Sequence, residues 1–80
     1  MLFRFSLTDR NGESFSYDEN LTSMLSARLN ILWTFKRRPR VKSITLHRHL
    51  DNDSCGRIEF VGTFLYDGNK VVKLERKEAI

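Results

Sequence analysis

Hydrophobic and polar residues alternate at once. Over residues 2–8, Phe3, Phe5 and Leu7 fall on one side and Arg4, Ser6 and Thr8 on the other, the period of a half-buried strand. Asp9-Arg10-Asn11-Gly12 follows as a turn. A loop of Asn11-Gly12 alone would set Leu7 against Ser16. A loop of Arg10-Asn11-Gly12 sets Leu7 against Phe15 and Phe5 against Tyr17, making one apolar face, and Gly12 suits the left-handed position of such loops. The pattern therefore predicts a hairpin with the longer loop.

A helix is predicted next, from Leu21 to about Phe35. Asp18 is the expected cap, with acids on the first turn and the cations Lys36, Arg37 and Arg38 at the end. Ser16 and Glu19 have capping-box spacing, but a start there would shorten the strand. Arg38 precedes Pro39, which disfavours helical geometry and stops the helix. On a helical projection the apolar residues from Leu21 to Phe35 cover roughly two-thirds of the circumference. One small sheet needs less. Either loops also cover this helix, or part of it meets a partner, or Asn30 ends it and Ile31–Phe35 begin a strand. The long helix is the reading adopted.

After Pro39 a third strand is expected over Val41–His49, with Ile44, Leu46 and Leu50 inward and Ser43, Thr45, His47 and His49 outward. Residues 51–56 read as an Asx-rich turn. A fourth strand, about 57–66, carries Ile58, Phe60, Phe64 and Tyr66 on one face, interrupted by Gly62 as at a bulge or a close helix approach. A loop of Asp67-Gly68-Asn69 would align Phe64 with Val72 in a fifth strand, Val71–Arg76, and residues 77–80 are expected to fray. The fold class is α+β. It is a single ββαβββ domain over residues 1–80, one antiparallel sheet with one helix across one face and the other face open.

Composition narrows the function classes. Six Phe, two Tyr and one Trp argue for a packed core. A lone cysteine allows no internal disulfide, no apolar run approaches a membrane span and no signal-peptide order is present. A cytoplasmic, non-membrane protein is the expectation. Charge is unevenly spread: residues 1–20 sum to −2, residues 21–50 to +7 and residues 51–80 to −1. A net charge of +4 favours anionic partners, either nucleic acid or an acidic protein surface.

The most specific signal is Lys36-Arg37-Arg38-Pro39-Arg40 with Lys42. A helix end asks for one or two cations, and this run holds five in seven positions. Guanidinium groups match phosphate geometry. His47 and Arg48 extend the candidate set. His47 and His49 also have the spacing of an acid/base pair for RNA cleavage, or of half a metal site with no further ligands in view. Arg28 interrupts the apolar arc, and Trp33 and Tyr17 are the aromatics expected to be exposed. The aspartates near Cys55 depart from a calcium loop where Cys55 and Gly62 stand, and Cys55 has no nucleophile-activating partner in the sequence. No cofactor motif is present. No family pattern is matched: double-stranded-RNA-binding domains flank a three-stranded sheet with helices, whereas this chain starts with a hairpin and has no C-terminal helix.

Two functions follow as expectations. One is a nucleic-acid-binding module that contacts a duplex backbone through residues 36–42. The alternative is a non-enzymatic accessory module, an inhibitor or adaptor of the kind frequent among mobile-element products, using the apolar helix or a sheet edge. That alternative places Arg28 and Trp33 at a partner interface and allows a homodimer through the helix. A His-dependent ribonuclease ranks third.

Overall fold

A computed structural model describes residues 1–50 and 56–74. The elements are β1 (Leu2–Asp9), β2 (Ser14–Asn20), α1 (Met24–Arg37), β3 (Val41–His49), β4 (Ile58–Tyr66) and β5 (Val71–Lys73). They form one five-stranded sheet in the order β2-β1-β3-β4-β5, with every neighbour antiparallel. This is the α+β ββαβββ fold expected. Helix α1 links β2 to β3, passing from one side of β1 to the other.

The first hairpin has the expected register, Leu7 with Phe15 and Phe5 with Tyr17. Gly12 takes φ 86°, and the Asp9 carboxylate accepts the backbone N–H groups of Asn11 and Glu13 at 2.9 and 3.0 Å. Phe3, Phe5 and Leu7 meet Ile44, Leu46 and Phe64 from the neighbouring strands and Ala27, Ile31 and Phe35 from the helix. Full burial of each large side chain in such a core contributes about 1.5–3 kcal/mol. Ala27 is fully buried, and its small side chain lets the helix lie close to the strands.

The helix start is a correction. Asp18 is not a cap. It lies in β2, opposite Arg4, whose guanidinium donates to its carboxylate at 2.9 and 3.4 Å. The cap is Ser23, whose Oγ accepts the Ser26 N–H at 3.1 Å. Two further corrections concern β4 and β5. Leu46 pairs with Gly62 while His47 pairs with Phe60, so Val61 is an extra residue. The bulge turns Ile58 and Phe60 away from the face of Phe64, and both are exposed. The β4–β5 loop is Gly68-Asn69, because Asp67 N–H bonds Lys70 O at 3.2 Å and Tyr66 pairs with Val71. Gly68 takes φ 101° and Asp67 accepts both Asn69 and Lys70 N–H groups at 2.9 Å, which favours this tighter turn. Phe64 consequently faces Lys73 rather than Val72. Leu50 is exposed rather than in the core. Expectations for residues 51–55 and 75–80 lie outside the described residues.

The face away from the helix is polar over β2, β1 and β3 and carries the exposed Ile58 and Phe60 on β4. Ser6 bonds Ser16 across one strand pair at 2.8 Å, and Thr45 bonds Thr63 across another at 3.1 Å.

Candidate functional site

The basic corner is built by two turns that meet. Arg38 caps α1 at φ −127°, ψ 81°, and its N–H still reaches Thr34 O at 2.9 Å. Val41 N–H then bonds Arg38 O at 3.0 Å, closing a turn with Pro39 in its second position, where a fixed φ is favourable. The N–H of Arg10, in the first hairpin loop, bonds Arg40 O at 3.0 Å. Arg10 therefore joins Lys36, Arg37, Arg38, Arg40 and Lys42, and all six are exposed. Lys42 is unpaired toward β1, since Thr8 pairs with Ser43 and Asp9 with Val41. That irregularity turns Val41 into the core and leaves Lys42 outside.

None of the six has a carboxylate partner among the described residues. The nearby Asp9 and Asp67 instead accept backbone N–H groups of their own turns, which holds the Asp67 carboxyl below its usual value. Arg38 stands over the exposed Phe15 ring at 5.8 Å and Lys36 over Trp33 at 5.7 Å. Both are cation–π distances that leave the charges in water. A cleft of about 770 Å³ opens here between Arg10, Lys36 and Lys42 on one side and Tyr66 and Gly68 on the other.

The structure does not bring His47 and Arg48 to this corner. Arg48 lies six residues beyond Lys42, about 20 Å along an extended strand, and is ion-paired with Glu59. His47 is half-buried on the open face, edge-on to Phe60 at 5.7 Å. Burial, then the charges of Arg4 and His49, push its pKa below the ordinary value. His49 is not exposed as expected. It is 4% accessible, with Nε2 at 3.4 Å from the Asp18 carboxylate. The Arg4 guanidinium holds Asp18 below the usual carboxylate range, assisted by His49. Among the described residues, Nδ1 of His47 and both ring nitrogens of His49 find no hydrogen-bond partner. The two imidazoles thus differ in access, His47 being half-buried and His49 buried. Among the described residues no group of His, Cys, Asp or Glu is arranged to hold a metal ion.

Arg28 and Trp33 are both exposed on α1, and Trp33 is 55% accessible. Leu25 and Leu29 are 67% and 48% accessible. The surplus apolar arc is therefore uncovered by any described part of the chain. Tyr17 is half-buried, stacked on Phe5 at 5.2 Å, whereas Phe15 and Phe60 are exposed. Sequence pattern missed Arg10, because only the tertiary contact with Arg40 places it here. Among the described residues no helix is long and apolar enough to cross a membrane. No protein-family model, curated protein or solved structure matches the chain.

Proposed function

We infer that this protein binds the phosphate backbone of a nucleic-acid duplex at the corner formed by Arg10, Lys36, Arg37, Arg38, Arg40 and Lys42. The observation that supports this reading is the set of exposed cations with no carboxylate partner among the described residues, held on two hydrogen-bonded turns. Arginines dominate the set, and a guanidinium presents paired donors to phosphate oxygens. Among the described residues no row of exposed rings lies on the sheet to stack single-stranded bases, so contact is with backbone and shape.

Fluorescence anisotropy with short DNA and RNA duplexes tests the reading. Four phosphate contacts give a slope of about −3.6 for log K against log salt, or roughly a 150-fold loss between 50 and 200 mM. Replacing Arg37 and Arg40 together by Gln is expected to reduce that slope by about 1.8. No binding at low salt, or an unchanged slope in that variant, refutes the assignment.

A further inference from the structure

A second groove lies along α1, between the helix and β5, with a volume of about 420 Å³. Its floor is apolar and includes Phe64 and Val71. Its cationic residues are Arg28, Lys36, Lys70 and Lys73, and no Asp or Glu lines it among the described residues. Lys70 and Lys73 come from the β4–β5 hairpin, far in sequence from the helix. Lys73 is led across the sheet by Gly62, whose missing side chain leaves room for the Lys73 stem.

Beside this groove runs the exposed stripe of Leu25, Leu29 and Trp33. These positions are one helical turn apart and extend over about 12 Å. Leucines offer hydrated polyanions nothing: they neither stack bases nor donate to phosphate. They do suit the ridge of a second helix. A second copy of this chain would set the same cations against one another. Apolar stripe and cationic groove together call for a ligand that is apolar along one face and acidic beside it.

We propose that the α1–β5 groove and the Leu25–Leu29–Trp33 stripe dock an acidic amphipathic helix of a partner protein. The partner's leucine-like anchors cover the stripe, and its carboxylates meet Arg28, Lys70 and Lys73. This is helix-in-groove recognition, with charge fixing the orientation. The site is separate from the duplex corner apart from Lys36, which borders both.

The test uses the full chain and a labelled synthetic peptide of about 18 residues, with Leu on one face and Glu on the flanks. A scrambled peptide and a Lys-for-Glu version are controls. Anisotropy is expected to show binding of the acidic amphipathic peptide, at least about tenfold weaker binding of the scrambled one, and none of the lysine version. Arg28→Glu with Lys73→Glu, and separately Leu29→Ser, each weaken binding by at least about tenfold. Arg37→Gln with Arg40→Gln leaves it unchanged. Circular dichroism checks folding, and Leu25→Ser replaces Leu29→Ser if the latter does not fold. Equal binding of the scrambled peptide overturns the proposal, as does a matching loss in the corner variant. Absence of peptide binding also overturns it. So does a duplex whose binding is abolished by Arg28→Glu with Lys73→Glu, or a dimer that Leu29→Ser dissociates, since each gives the groove a different occupant.

Discussion

Gly62 offers a quantitative check on how the β4–β5 hairpin meets the sheet. Its backbone lies outside the left-handed region, so alanine imposes no strain on φ. A Cβ there would stand 2.7 Å from Lys73 Cε and 3.5 Å from Cδ and Cγ. The obstacle is the far part of a flexible, exposed side chain. Removing glycine's freedom from the unfolded chain stabilises by about 0.4–1 kcal/mol. Forcing Lys73 off its rotamer costs about 0.5–1.5 kcal/mol. Gly62→Ala should therefore change stability by less than about 1 kcal/mol in the parent chain. With Lys73→Ala already present, the same substitution should stabilise by about 0.4–1 kcal/mol. The coupling across the cycle is then about 0.5–1.5 kcal/mol. Urea unfolding of the four proteins, with m held constant, measures it. Additivity within about 0.3 kcal/mol would show that Lys73 does not cross Gly62. A loss above about 2 kcal/mol in both backgrounds would mean that a rigid neighbour fills the space.

Two other perturbations address the corrected elements. Ser23→Ala removes the helix cap and should lower stability by about 1 kcal/mol, with Ser23→Asp largely restoring it; equal urea midpoints for the parent chain and the Ser23→Ala variant would place the cap elsewhere. His47 has a folded pKa below the ordinary 6.5, so the unfolded chain takes up its proton first as pH falls. Stability should decline as pH drops through 6.5 toward the folded pKa, and His47→Gln should flatten that segment of a melting-temperature profile. A profile equally steep in the variant assigns the decline to another group. Asp18, depressed by Arg4, adds its own loss only below the ordinary 3.8.

The parts of the fold legible in sequence are those fixed by neighbours. Phe5, Tyr17 and Gly12 set the first hairpin, and Arg38-Pro39 ends the helix, all through contacts within a few residues or one turn. Asp18 misled because acids suit helix starts, and nothing local reveals that Arg4 claims it from the adjacent strand. The bulge at Val61 is equally hidden: alternation predicts faces only while pairing stays in step, and one extra residue moved Phe60 and Ile58. Parity alone predicts an exposed His49, and the structure buries it beside Asp18. The corner was legible because its cations are nearly contiguous. Arg10, Lys70 and Lys73 were not, since separate hairpins deliver them.

Strand order also has a consequence for how the chain reaches this structure. β1 with β2, and β3 with β4 and β5, are each close in sequence, so either group can assemble from local contacts. Only the β1–β3 ladder, which sets Phe5 beside Leu46, unites them. Closing a segment of about 40 residues carries an entropic cost near 3 kcal/mol beyond a constant. That cost falls on a single ladder, bridged by α1 and flanked by the most completely buried side chains. Formation of the β1–β3 ladder is thus the expected slow, long-range step of folding, and the helix whose outer surface no described part of the chain covers is also the tether across which that step must close.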